Sequence, residues 1–244
     1  MKINWDSEVL SSVSKVVDQL EHLSINKDSI ESVADWLAYE EFPFPNSAAV
    51  RDDADDFIRA TMFMNTLNFA FTDFDKSIKY EVNEDGKTLS DSEAMYFQVN
   101  NAISSGIQLT DGNEMASISL QQLKNIFVGN IEMPMLKERV EILNEVGQKL
   151  VDSYEGDWIN FINNGPKKLY SDGGGLIERL IEEFPRFDDS SQFKGSNVKF
   201  YKLAQLAFWV IHAELSGSNY FKIEDMNSMT AFADYIIPVA LNLK

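Results

Sequence analysis

Apolar positions recur at helical spacing through the first third of the chain. Val9, Val13, Val16, Val17, Leu20 and Leu23 share one face, and Ile30, Val33, Ala34 and Leu37 repeat the pattern. Phe42-Pro43-Phe44-Pro45-Asn46 breaks it. A third helix then runs to about Asn65, carrying Asp52, Asp53, Asp55 and Asp56 in its first turns, where the helix dipole favours negative charge on a solvated face. Between Leu67 and Leu89 the period changes to two. Ile78, Tyr80 and Val82 alternate with lysine and glutamate, and Asn83-Glu84-Asp85-Gly86 supplies a turn before Thr88 and Leu89. Helical patterns return over 92–104, 119–128, 135–153, 156–163, 175–184 and 197–215. A last helical segment, 229–243, should be kinked or split at Pro238, which lacks a backbone donor. The expectation is a mainly α, compact multi-helix domain with one small β-hairpin. No linker or repeat divides it, so 1–244 reads as a single domain, with N-terminal helices over 1–66, a hairpin over 67–90 and C-terminal helices over 91–244.

The 197–215 segment is apolar in every helical direction, the pattern of a helix surrounded by protein. Yet at roughly 100° per residue Lys202, Gln205, Trp209 and His212 fall within about 80° of one another. An ammonium, an amide and an imidazole beside an indole must face a partner, water or a ligand, because burying an unpaired lysine costs several kcal/mol, much of a domain's margin of stability. The nearest good candidate to neutralise Lys202 is Asp234, set between aromatic and β-branched residues; the competing reading of Asp234 is a helix N-cap.

Composition narrows the chemistry. With no cysteine and two histidines, His22 and His212, the chain has no thiolate metal site, no thiol nucleophile and no multi-histidine centre. Catalysis would rest on carboxylates, lysine, hydroxyls and amides. A net charge of −18 argues against polymeric nucleic acid and against anionic membranes as partners. The start lacks a basic-then-apolar leader and no apolar run is long enough to span a bilayer, so a cytoplasmic protein is expected. Gly173-Gly174-Gly175 has neither a clear preceding strand nor a following Gly-Lys-Ser/Thr, and reads as a flexible helix start rather than a P-loop. Asp188-Asp189 is either a helix-terminal loop or a carboxylate pair for acid–base work or cation binding.

Several ordered blocks resemble the queuosine-nucleotide N-glycosidases of queuosine salvage. They are Leu67-Asn68-Phe69-Ala70-Phe71; Met133-Pro134 through Glu138-Arg139 to Ile142-Leu143-Asn144-Glu145-Val146-Gly147; Phe184-Pro185-x-Phe187-x-Asp189; Val198-x-Phe200-Tyr201-Lys202-x-Ala204-Gln205; and Met229-Thr230-x-Phe232-Ala233-Asp234-Tyr235-x-x-Pro238. Together they cover about residues 60–244. The resemblance implies a helical fold related to helix–hairpin–helix DNA glycosylases, with no cofactor and no metal. It implies that Asp234 is the catalytic carboxylate and Lys202 its basic companion. Asn68, Phe69, Asp189, Tyr201 and Tyr235 would line a nucleoside pocket, and Asp73, Gln205, Trp209 and His212 complete the candidate substrate-binding set.

The departures from that pattern fall where ligands are selected. Thr72-Asp73 stands where the family usually has tryptophan, and Asp91-Ser92-Glu93-Ala94 replaces a Gly-Tyr-Trp-Ser block. Leu203, Asp188 and Ile236 occupy positions of flanking arginines, and His212 that of an aromatic residue. Lost arginines weaken bidentate phosphate contact. The expected function is hydrolysis of the N-glycosidic bond of a modified 7-deazapurine nucleoside or its 5′-monophosphate, a small-molecule partner, releasing queuine for tRNA modification. A non-catalytic nucleoside- or nucleobase-binding protein on the same fold is the alternative. A purely structural interaction protein would explain the acidic surface but not the polar seam.

Overall fold

In a computed structural model, which describes residues 7–41, 53–218, 220–234 and 237, the helices fall close to where the apolar periodicity puts them. The order is α1 (Glu8–Ser14), α2 (Lys27–Leu37), α3 (Ala54–Thr66), strands β1 (Thr72–Asp73), β2 (Ile78–Lys79), β3 (Glu81–Glu84) and β4 (Lys87–Ser90), then α4 (Asp91–Ser104), α5 (Gly112–Ser117), α6 (Leu120–Ile126), α7 (Leu136–Tyr154), α8 (Trp158–Asn163) and α9 (Leu176–Glu183). A 3-10 turn (Pro185–Phe187), strands β5 (Ser190–Phe193) and β6 (Ser196–Lys199), and α10 (Lys202–Leu215) come after it. Among the described residues no helix is long and apolar enough to cross a membrane.

The start of α3 uses its acidic cluster as the helix-terminus reading expects. Asp53 caps the helix by accepting from the Asp55 and Asp56 amides, and Asp56 pairs with Arg59 at 2.8 Å. Asp52 lies outside the described residues.

Three expectations need correction. The single hairpin is joined by two further antiparallel pairs, so the sheets are β1–β2, β3–β4 and β5–β6. The helix expected from residue 197 begins at Lys202. Asn197 to Lys199 belongs to β6, closed onto β5 by a turn in which Lys194 and Gly195 both have positive φ, 47° and 81°. This is the primed turn that a two-residue hairpin requires. Finally, Met229 to Asp234 is not helical, and the rest of the expected last helix, Pro238 included, lies outside the described residues apart from Ile237.

Two of the sequence blocks have a packing explanation. Helix α5, too short to be read from periodicity, lies against α7. A Cβ at Gly147 would sit 2.3 Å from the Ala116 amide nitrogen, so only glycine allows this approach. Beside it, the Asn144 side chain donates to the Met115 and Ile118 carbonyls at 2.9 and 3.2 Å, satisfying the end of α5. In the second block, Phe184 and Phe187 are buried against Trp158, with ring centroids 4.9 and 6.4 Å away, which anchors the 3-10 turn to α8. Helix α10 packs on α3 and α9 through Leu203, Ala204, Ala207, Phe208 and Ile211, all buried.

Candidate active site

The polar seam of α10 faces the chain's own return path. After α10, residues 221–234 run back along the helix as an irregular strap. His212 Nδ1 accepts from the Ile223 amide at 3.0 Å. About two turns earlier, Gln205 Oε1 accepts from both the amide and the hydroxyl of Thr230, at 2.9 and 3.1 Å, while its Nε2 donates to the Phe200 carbonyl at 3.1 Å. At the helix start, Lys202 Nζ donates to a carboxylate oxygen of Asp234. Between these stations the Trp209 indole meets the Phe232 ring edge-on, centroids 6.0 Å apart, over a cleft of about 400 Å³ that Met226, Met229, Thr230 and Ala231 also line.

The ion pair is neither buried nor in bulk solvent: the Lys202 and Asp234 side chains are 26% and 24% exposed. That degree of shelter strengthens a charge contact over its value in water while leaving it reachable by a small ligand. Asp234 ends the non-helical run that starts at Met229, and the helical Ile237 donates its amide to the Asp234 carbonyl at 3.3 Å, so a position at the start of a helix is compatible with the ion pair.

The family-like segment that carries Asn68 and Phe69 is the turn after α3. Arg139, from α7, is completely buried and donates to the carbonyls of Pro134, Leu67, Phe69 and Ala70, fixing the bend in which Ala70 has φ 46°. Its guanidinium lies over the Phe69 ring, 4.3 Å from the centroid, and Arg186 from the 3-10 turn lies over the same ring at 4.5 Å. Burial pushes both guanidinium pKa values down to about 10, with their mutual repulsion adding to the effect at Arg139. Asn68 is held by donating to the Tyr96 hydroxyl at 3.0 Å. From the far side, the Asp189 carbonyl accepts from the Phe200 and Tyr201 amides at 2.8 and 3.3 Å, which ties the Phe187–Asp189 loop to the residues just before Lys202.

Other expected site residues have structural duties. The Asp73 carboxylate accepts from the amides of Asp75 and Lys76 and pairs with Lys76 Nζ at 3.1 Å, closing the turn between β1 and β2. Gln205 and His212 act through the strap. Tyr201 is buried beneath α1 rather than forming an open wall; its hydroxyl, 3.3 Å from the Glu8 carboxylate, is raised in pKa by burial and then by that charge. Asp188 and Asp189 have exposed side chains, and Tyr235 lies outside the described residues. In the glycine run, the Ser171 and Gly175 amides donate to the Glu178 carboxylate at 2.6 and 2.8 Å, so this loop is capped from within. Arg139, Arg186 and Thr230 carry no role in the sequence reading, although all three lie in or beside the family-like blocks.

Residues 48–244 match the family described as Queuosine salvage protein. The chain belongs to that family. Among curated relatives, the queuosine 5′-phosphate N-glycosylase/hydrolase of Bos taurus is 32% identical over 179 residues, covering 72% of this chain and 51% of the bovine protein. The protein of the same name from Mus musculus is 31% identical over 180 residues, 73% of this chain and 52% of its own length. That of Sphaerobacter thermophilus is 26% identical over 237 residues, 96% of this chain and 71% of its own. The chain thus spans about half the length of the mammalian relatives it matches. Helices α1 and α2 precede the family match, yet Glu8 of α1 pairs with Lys199 at 2.6 Å within the matched region.

Proposed function

We propose that this chain hydrolyses the N-glycosidic bond of queuosine 5′-phosphate or a related 7-deazapurine nucleoside, releasing the free base (queuine). The observation that carries the proposal is the Lys202–Asp234 ion pair, largely sheltered yet still reached by solvent, in a chain of the queuosine salvage family. Breaking the bond between C1′ and the base nitrogen builds positive charge on the sugar. Asp234 stabilises that charge and takes a proton from the attacking water, whose oxygen bonds to C1′; the departing base nitrogen takes a proton from solvent and Asp234 returns its own to solvent, so one water is consumed and the carboxylate is restored. Lys202 balances the carboxylate's charge and offers its remaining protons to a ribose hydroxyl or phosphate. Asn68, Phe69, Asp189 and Trp209 stand nearest to roles in holding the nucleoside, with Tyr235 beside Asp234 in sequence.

On this reading 1–244 acts as one N-glycosidase domain related to helix–hairpin–helix DNA glycosylases, in the cytoplasm, without metal or cofactor. The net charge of −18 supports a small nucleotide rather than polymeric nucleic acid or a membrane as partner. Incubation with queuosine 5′-phosphate, queuosine and ordinary nucleosides, followed by chromatography, tests the proposal: free queuine is expected. A saturable thermal shift without base release would make the chain a binding protein instead, and no response to any of these compounds would remove nucleosides from its function.

A further inference from the structure

Helix α1 lies ahead of the family match, yet it packs on β6, the strand that ends three residues before Lys202. Val9 is buried there, and Ser12 Oγ accepts from the Lys199 amide at 2.9 Å. One oxygen of the Glu8 carboxylate accepts from Lys199 Nζ at 2.6 Å and from the Tyr201 hydroxyl at 3.3 Å. The same ammonium stands 5.7 Å from the centre of the Tyr201 ring. Tyr201 is thus gripped at its hydroxyl by a carboxylate and on its face by a cation. As a stabilising device the Glu8–Lys199 pair would count for little, since its side chains are 40% and 30% exposed. What it grips is the unusual part. Tyr201 has φ 51° and ψ 35°, a left-handed backbone that is costly for a bulky residue and persists only where its surroundings enforce it. Tyr201 is also the N-cap of α10: its side chain makes no capping bond, its carbonyl accepts from the Gln205 amide at 2.9 Å, and Lys202 is the first residue of the helix. The direction in which the Lys202 side chain leaves the backbone, and so its meeting with Asp234, therefore depends on the Tyr201 dihedrals.

We propose that Glu8 is a positioning residue for Lys202: through the Tyr201 hydroxyl it holds the left-handed junction between β6 and α10 in the conformation that brings the ammonium to Asp234. Two further restraints act on the same junction, the Asp189 carbonyl on the Tyr201 amide and the burial of the ring, but only Glu8 fixes the far end of the side chain. A lever of this length matters because a small displacement of a catalytic group is costly in rate even when its cause lies outside the site. Helix α1 is on this account part of the working domain, although it precedes the matched region. The effect on catalysis rests on the glycosidase reading; the hold of Glu8 on the junction does not.

The test compares wild type, E8Q, Y201F and the double variant E8Q/Y201F, each assayed well below its melting temperature. In base release from queuosine 5′-phosphate, kcat should fall about tenfold in E8Q and in Y201F, the worth of one hydrogen bond to a charged group, with KM moving less because neither side chain touches substrate. The double variant should be no slower than either single one, since both changes remove the same contact. Hydrogen exchange followed by mass spectrometry should show the amides of residues 200–205 exchanging about tenfold faster in both single variants, with α7 unchanged. A wild-type kcat in E8Q or Y201F, even with a lower melting temperature, makes Glu8 a structural contact and overturns the proposal, as do losses that multiply in the double variant. Should wild type release no base, the glycosidase reading alone fails and exchange decides: acceleration confined to 200–205 upholds the hold of Glu8 on the junction, and unchanged exchange overturns it. Should E8Q not fold, Y201F, which leaves α1 and its pair with Lys199 in place, decides by the same two readouts.

Discussion

Thr230, four residues before Asp234, gives both its amide and its hydroxyl to a single oxygen of Gln205, which stands three residues after Lys202. The two partners of the ion pair are therefore positioned from a shared anchor within hydrogen-bond reach of both segments. Replacing Gln205 by leucine keeps the bulk but leaves the Thr230 amide and the Phe200 carbonyl without partners. The expected cost is about 1–3 kcal/mol for each buried group that water does not reach. Denaturant titration should show the loss of stability, and kcat should fall with it. A Q205L variant with wild-type kcat would mean the strap is held by its apolar contacts alone.

Asp234→Asn should leave the fold intact, since an amide retains the volume and a hydrogen-bond acceptor for Lys202. Base release should drop by about 10²–10⁴-fold, the span expected on loss of a general base. Circular dichroism alongside the chromatographic assay separates loss of chemistry from loss of structure. An unimpaired variant would remove Asp234 from the mechanism.

His212 couples the strap to pH. Its Nδ1 can accept from Ile223 only when unprotonated, and burial, with help from the Lys222 charge, holds its pKa below the usual 6.5. Between the folded and unfolded pKa values the unfolded chain binds more protons, so the contribution of this contact to stability is complete above pH 6.5 and is lost as pH falls through the folded pKa. Midpoints of urea unfolding measured between about pH 7 and pH 5 should fall toward acid. In His212→Asn the share of that slope due to the imidazole should vanish; an identical slope would place the pH dependence elsewhere.

Gly147→Ala should destabilise the chain by roughly 1–3 kcal/mol or more, as overpacking does, because the added methyl meets the backbone of Ala116 at 2.3 Å and cannot swing aside. A lower thermal midpoint with near-normal KM for the surviving folded fraction would mark the effect as packing between α5 and α7. An unchanged midpoint would show that these helices separate freely.

The legible features were those whose partners announce themselves by side-chain type. Lys202, Gln205 and His212 stand out because an apolar helix has no other use for them, and Asp234 stands out among Phe232, Tyr235 and Ile236. The Arg139–Phe69–Arg186 group was hidden because, Pro134 apart, its partners are backbone carbonyls 69 to 120 positions away, which leave no mark on a sequence. The β5–β6 hairpin was hidden differently. Val198, whose side chain faces inward from a strand, adjoins the apolar run of α10, so two periods merged into one apparent helix. The Lys194-Gly195 turn was the available signal. Likewise α2 kept its predicted position, but its apolar residues Ile30, Trp36 and Leu37 are exposed, so amphipathic spacing gave the helix without giving a buried face.

Because Asp234 is carried on an irregular strap, insertions and deletions there are unequal in their effects. A residue added between Ile223 and Thr230 can bulge outward, because the flanking attachments to His212 and Gln205 hold the register of the downstream chain. The same change between Thr230 and Asp234 has no slack to absorb it: it displaces the carboxylate by up to about 3.3–3.6 Å, more than the length of a hydrogen bond, and turns it away from the ammonium. Natural length variation among close homologues should therefore be tolerated ahead of Thr230 and purged in the four positions behind it.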